Sequence, residues 1–226
     1  LSGRDCTSQR RHQKLIEEAP PPNVDPAKLE AVATSAAAMI REAKYRGAAT
    51  VEFLMDRNQD FYMLEVNTRV QVEHPVTEVI TGVDIVRETI RVAAGEPLSI
   101  TQDDVVVRGH AIEFRVNAED PDRNFAPQPG TLSCFDPPGG PGVRIDTHIR
   151  TGSRIPPNYD SMIAKLIVSG ATREQAIARS RGALDEFRIE PIRTTIPLHR
   201  RLLDTHEFRA ADFDIHYVER RLADES

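Results

Sequence analysis

Apolar residues between Asp25 and Gly47 recur at three- and four-residue intervals: Leu29, Val32, Ala33, Ala36, Ile40 and Ala43. That spacing predicts an amphipathic helix with this stripe buried. Asp25 caps its start, Pro26 suits its first turn and Gly47 lies just past its end. Next come two strand-like runs, "AATVEFLM" and "FYMLEVN", on either side of "DRNQD", a pattern that predicts a β-hairpin. The second run continues as "LEVNTRVQVEHP", where polar and apolar positions alternate. If the stretch is extended throughout, Glu65, Asn67, Arg69, Gln71 and Glu73 share one face and Val66, Thr68, Val70, Val72 and His74 share the other. A second helix is expected from Asp84 to Gly95.

From about residue 105 the texture changes. "VVVRGHAIEFRVNAED" predicts one long strand, and "IAKLIVSG" a buried one. Residues 121–157 hold 8 of the 16 prolines and 5 of the 12 glycines, so that stretch is expected to be rich in loops with short strands. "TREQAIARSRGALDEF" predicts a helix opened by a Thr172/Gln175 capping box, and a last helix is expected over "IPLHRRLLDT". The pattern is that of an α+β protein in two parts, residues 1–100 and 105–226, joined near "PLSITQDD".

Composition narrows the function classes. The chain has 226 residues, a formal net charge of −6 and no Trp. An acidic balance argues against a general nucleic-acid grip, which needs a basic surface. No apolar run approaches the roughly 18 residues that span a bilayer. Cys6 and Cys134 are the two cysteines, too few and too far apart for a disulfide framework or a zinc site. A cytoplasmic, reducing setting with small structural thiols is the expectation. The chain starts with Leu and meets a dense polar cluster within ten residues, so it reads as a piece of a longer protein.

Chemistry enters at the hairpin. With a turn centred on Asn58 and Gln59, Glu52 falls opposite Glu65. Two opposed carboxylates at about 5 Å repel by roughly 3 kcal/mol at an effective dielectric near 20. A proton or a cation between them relieves that repulsion. Asn67 on the same face adds an amide oxygen, and such a set suits Mg²⁺ or Mn²⁺ and not zinc. For Glu52, Glu65 and Asn67 alone, a solvated outer sheet face is the favoured reading. The continuation through Arg69, Gln71 and Glu73 favours a site for phosphate chemistry with an acid–base step. "QRRHQK", Gln9 to Lys14, adds a cationic cluster that would serve a nucleotide triphosphate or form a basic surface patch.

Six stretches, "RDCTSQRRHQKLIEEAP", "YRGAATVEFL", "LEVNTRVQVEHPVTEVITGVDIV", "RGHAIEFRVNAEDP", "PPGGPGVRIDTHI" and "PPNYDSMIAKLIV", together resemble biotin carboxylase. This is the ATP-grasp component of biotin-dependent carboxylases, and the likeness to the acetyl-CoA carboxylase subunit is strongest. The resemblance implies the C-terminal portion of an ATP-grasp fold followed by a β-rich biotin carboxylase C-terminal domain. It implies ATP with Mg²⁺ or Mn²⁺, bicarbonate as co-substrate, and biotin on a carrier protein as acceptor. The implied reaction phosphorylates bicarbonate to carboxyphosphate and passes the carboxyl group to biotin. By the same likeness Glu52, Glu65 and Asn67 hold the metal, and Glu73 is the base that deprotonates bicarbonate. Arg69, Lys14 and the backbone at Gln71 and Val72 cradle that anion. Arg115 stabilises the biotin enolate, Gln9 and His12 contact the nucleotide's ribose and phosphates, and Leu54 packs by its base. Without the resemblance, Arg115 reads as a strand residue paired with Glu113 or Glu119. His74 is read as structural and Asp160 as a supporting residue.

The family carries about as much chain again upstream, with the glycine-rich lid and phosphate-binding lysines, so this polypeptide alone is expected not to turn over. A carrier protein, carboxyltransferase subunits and a homodimer partner are implied. Two alternatives stay open: another bicarbonate-phosphorylating ATP-grasp ligase, such as the carbamoyl-phosphate synthetase large subunit, and a non-catalytic assembly module.

Overall fold

The computed structural model describes residues 1–224. In chain order the elements are β1 (Asp5–Arg10), β2 (Gln13–Ala19), α1 (Pro26–Glu42), β3 (Thr50–Met55), β4 (Phe61–Asn67), α2 (His74–Thr81) and α3 (Ile85–Ala93). Then follow β5 (His110–Asn117), β6 (Glu119–Asp120), β7 (Ala126–Pro127), β8 (Gly130–Thr131), β9 (Cys134–Asp136), β10 (Val143–Thr147) and β11 (Arg154–Ile155). Last come β12 (Met162–Gly170), α4 (Arg173–Glu186), β13 (Arg188–Glu190), α5 (Ile196–Asp204), α6 (His206–Ala210) and α7 (Tyr217–Asp224). Two compact units result: residues 1–4 with 19–108, and residues 5–18 with 109–226. The β1–β2 hairpin near the start of the chain is thus part of the second unit.

The first unit holds α1, the β3–β4 hairpin, α2 and α3. The α1 N-cap forms as expected, with Asp25 accepting from the Ala27 N–H at 2.8 Å. Its stripe does not: no residue of α1 is buried, and Leu29, Val32, Ala36 and Ile40 are half-covered while Ala33 and Ala43 are exposed. The anchors of α1 are polar and lie at its first turn. Lys28 donates to the Asn58 carbonyl at 2.5 Å, and Gln59 accepts from the Asp25 N–H at 2.6 Å.

The hairpin pairs Thr50 with Asn67, Val51 with Val66 and Glu52 with Glu65, the pairs expected. A bulge then shifts the register so that Phe53 faces Met63. The strand ends at Asn67, which corrects the reading of an extended face through Glu73. Residues 68–73 turn instead, and α2 begins at His74 with Pro75 in its first turn and Gly82, at φ +73°, as its left-handed cap. Nor do the valines form a continuous backing, because Val70 is exposed. Helix α3 is capped by Asp84, which accepts from the Arg87 N–H, and Gly95 lies two residues past its end.

In the second unit a five-stranded sheet has the order β1-β2-β5-β12-β10. Strand β5 is shorter than the sequence suggested, starting at His110. Gly109 precedes it at φ +69°, and a Cβ there would lie 2.3 Å from the Gly170 carbonyl oxygen, so no other residue fits. Ile112, Phe114 and Val116 alternate inward with Ala164, Leu166 and Val168 of β12. Helices α4 and α5 add Ala176, Leu184, Leu198, Leu202 and Leu203 to the same core. Thr172 caps α4 by accepting from the Gln175 N–H, but the expected capping box does not close, because the Gln175 side chain accepts from the Ala171 N–H at 2.6 Å and not from Thr172. The chain does not finish with one helix: α6 and α7 follow α5, and Phe208, Tyr217 and Val218 are buried with it. No helix among the described residues is long and apolar enough to cross a membrane.

Candidate active site

In the first unit the hairpin and the turn after it gather five of the expected residues. Asn67 bridges the facing carboxylates, its Nδ2 donating to Glu52 Oε1 at 3.1 Å and to Glu65 Oε1 at 2.9 Å. Arg69 donates to Asn67 Oδ1 at 3.2 Å. Gln71, although off the strand, reaches back and donates from Nε2 to Glu52 Oε1 at 2.5 Å. Glu73 is 2% exposed and stands one residue before α2, whose N-terminal end favours negative charge. His74 donates from Nδ1 to the Gln71 carbonyl at 2.7 Å and fixes the turn, a structural role as expected. Val72 is half-buried there, and Leu54 lies on the exposed part of the hairpin opposite Tyr62.

Sequence reasoning missed Arg4. Its guanidinium donates to Gln71 Oε1 at 2.6 Å and to the hydroxyls of Thr50 and Thr77, each at 3.0 Å. All three partners lie 46 to 73 positions away, so no local pattern pointed to it.

The remaining expected residues belong to the second unit. Gln9 and Lys14 face each other across β1 and β2, and His12 is exposed at the turn with φ +65°. Arg115 of β5 donates from Nε to the fully buried Glu17 at 2.5 Å. This partner is on β2. Lys165 lies directly across from Arg115 and itself pairs with Asp146 at 3.5 Å. Each of these two facing cations thus has its own carboxylate. Asp160 accepts from the Met162 N–H at 2.8 Å and shapes the entry to β12.

Behind Arg115, His199 is completely buried and donates from Nε2 to the Arg115 carbonyl at 2.8 Å. Burial lowers its pKa to about 4, the hydrogen bond to Arg115 acting weakly the other way. A folded state that holds this imidazole neutral loses stability wherever the unfolded chain takes up the proton, between pH 6.5 and 4. Denaturant unfolding is therefore expected to show a loss of about 3 kcal/mol across that range, reduced in His199→Gln. An equal slope in both proteins would refute the assignment.

The hairpin donor set fits a hard divalent cation. Glu52 and Glu65 supply carboxylate oxygens, and the Asn67 amide, which here turns Nδ2 to both of them and Oδ1 to Arg69, would offer its oxygen on turning over. Mg²⁺ ordinarily takes one or two carboxylates and completes its shell with substrate phosphates and water. Among the described residues there is no cluster of three His, Cys, Asp or Glu side chains suited to a metal. Cys6 and Cys134 form no disulfide.

Comparison with known proteins places this mixed α+β architecture, with its oxygen-rich hairpin and buried carboxylate, in the ATP-grasp class. Residues 113–220 match the family model of the biotin carboxylase C-terminal domain, and residues 1–101 that of the ATP-binding domain of the carbamoyl-phosphate synthase large chain. The chain belongs to the biotin carboxylase family.

It is 53% identical to the biotin carboxylase of Pseudomonas aeruginosa over 223 residues, 98% of this chain and 49% of that one. It is 52% identical to a pyruvate carboxylase subunit from Methanothermobacter thermautotrophicus, over 97% of this chain and 44% of that one. Among solved structures, the biotin carboxylase domain dimer of Hydrogenobacter thermophilus 2-oxoglutarate carboxylase, in complex with MgADP, ADP and bicarbonate, is similar at a TM-score of 0.94 and 44% identity. That likeness covers 97% of this chain and 49% of that one. The chain spans about half the length of the relatives it matches.

Proposed function

We propose that the natural polypeptide carrying this chain is an ATP-dependent biotin carboxylase. It phosphorylates bicarbonate to carboxyphosphate and delivers the carboxyl group to biotin on a carrier protein. The observation that supports this most directly is the gathering of Glu52, Glu65 and Asn67 on one hairpin face with Gln71 reaching in from the following turn, which also holds the buried Glu73.

In this reading Glu52, Glu65 and Asn67 hold Mg²⁺ or Mn²⁺, which neutralises phosphate charge when bound. Glu73 removes the proton from bicarbonate, and Arg69, Lys14 and the Gln71–Val72 backbone orient that anion. A guanidinium fork suits a planar carboxylate-like group. Arg115, held by Glu17, stabilises the ureido oxygen of biotin as negative charge develops there. Gln9, His12 and Leu54 contribute to nucleotide binding. Residues 1–100 form the ATP-grasp part, of which residues 5–18 group with the second compact unit, and residues 105–226 the C-terminal domain. Carboxyltransferase subunits, a second copy of the chain and a cytoplasmic setting complete the proposal. Relatives at 52% and 54% identity are named a pyruvate carboxylase subunit and a biotin-dependent acyl-coenzyme A carboxylase subunit, so the likeness does not choose the final acceptor.

Two experiments test it. Radiolabelled bicarbonate supplied with Mg-ATP is expected to appear on free biotin, and no label on biotin would defeat the proposal. Glu65→Gln is expected to raise the Mg²⁺ concentration for half-maximal ATP cleavage at least about tenfold, because a ligand loses its charge. An unchanged requirement would remove Glu65 from the metal site.

A further inference from the structure

We propose that Arg4 is a positioning residue for the metal-binding carboxylate Glu52, acting through the Gln71 amide. The inference rests on the proposed metal role of Glu52 and goes beyond it. Arg4 precedes β1, Thr50 opens β3, Gln71 lies in the turn after β4, and Thr77 is in α2. One guanidinium therefore ties four separate pieces of the first unit.

The chemistry of the contact fixes an orientation. A guanidinium is a donor without any acceptor, so the group Gln71 turns toward Arg4 must be its oxygen. The opposite end of the same planar amide is then Nε2, which donates to Glu52 Oε1. With the amide reversed, N–H would meet N–H at Arg4 and oxygen would meet carboxylate oxygen at Glu52. Both contacts are repulsive. Gln71 is 5% exposed, so water offers little compensation for either.

Glu52 Oε1 also accepts from Asn67 at 3.1 Å. Two amide donors thus converge on one oxygen and set the plane of the carboxylate. Arg4 sets one of those donors and in this way prepares Glu52 for a cation. Outer partners that orient metal ligands commonly change metal affinity by about 10- to 100-fold when removed.

The test is Mn²⁺ binding by the natural full-length polypeptide at saturating ADP, followed by the electron paramagnetic resonance signal of free Mn²⁺. Arg4→Met is expected to raise the dissociation constant at least about tenfold. Gln71→Leu is expected to do the same, and adding Arg4→Met to it is expected to change the constant by less than about twofold, because the two act as one chain. Arg4→Lys keeps the charge but replaces the fork with a single ammonium, so it tests the idea even if the Met variant does not fold. A rise of several-fold is expected there.

Wild-type affinity in either Arg4 variant overturns the proposal, as does a full multiplicative effect in the double variant. The readout is independent of turnover. A wild-type protein that binds Mn²⁺ but does not carboxylate biotin removes the proposed function and leaves this inference to its own result. A wild-type protein that binds no Mn²⁺ removes the inference.

Discussion

Glu73→Gln in the natural full-length polypeptide is expected to abolish bicarbonate-dependent ATP cleavage while leaving Mg-ATP affinity within about twofold. A positioned general base contributes about 10²- to 10⁴-fold, so the loss falls in the turnover number. Affinity for the nucleotide survives because Glu73 stands outside the Glu52–Asn67–Glu65 cluster, in the turn that leads into α2. Gln is close in shape to Glu and replaces it at a site only 2% exposed, so the fold tolerates the change. Steady-state kinetics with a separate nucleotide-binding measurement check this. A large loss of ATP binding with residual turnover would reassign Glu73 to the nucleotide or metal.

The largest stability effect is expected at Glu18. This carboxylate is 3% exposed and takes a two-pronged contact from Arg173, Nε at 2.7 Å and Nη2 at 2.8 Å, together with His110 Nε2 at 2.8 Å. Removing one partner of a buried ionic pair leaves the other charge uncompensated, at a cost of about 3–5 kcal/mol. Glu18→Ala is therefore expected to destabilise the second unit by that amount in urea unfolding.

The penalty also depends on pH. Burial pushes the Glu18 carboxyl up, but the hydrogen bonds from His110 and Arg173 outweigh it and hold the group below the ordinary glutamate value of 4.5. Its contribution is complete above pH 4.5 and is lost as the pH falls through the folded-state value. The gap between wild type and Glu18→Ala should narrow in acid. Asp5 nearby is pushed up by burial and contributes with the opposite sign, which is why the difference between the two proteins is the proper readout. A gap below about 1 kcal/mol at neutral pH, or one that widens in acid, would contradict this account.

Opposition of Glu52 and Glu65 was expected from a turn centred on Asn58 and Gln59, but the strands next to the turn pair one residue differently, Met55 with Phe61 and Leu54 with Tyr62. It is the bulge after Glu52 that brings Glu65 opposite it. The continuation through Glu73 misled. Alternation of polar and apolar residues imitates a strand, yet "EHPVTEVITG" carries helix signals: Pro75 in the first turn and Gly82 at the left-handed cap. Gln71 reaches Glu52 by a turn, not by a shared face, so the grouping survives with a different geometry.

Helix α1 shows the converse error. Its helical spacing and cap were readable, but a pattern of apolar positions says nothing of what covers them, and none is buried. Arg4, Glu17 and Glu18 could not be found by spacing. Their partners lie 46 to 155 positions away, and only the folded chain brings them together. Helices α6 and α7 escaped notice because they are short, and Thr205, the N-cap of α6, also ends α5.

The measurement that bears most directly on the central claim is ADP release by the natural full-length polypeptide, with and without bicarbonate and free biotin. Release is expected to need bicarbonate and to rise with biotin. Release indifferent to biotin would move the protein to another bicarbonate-activating ligase, and no release under any condition would contradict the catalytic reading.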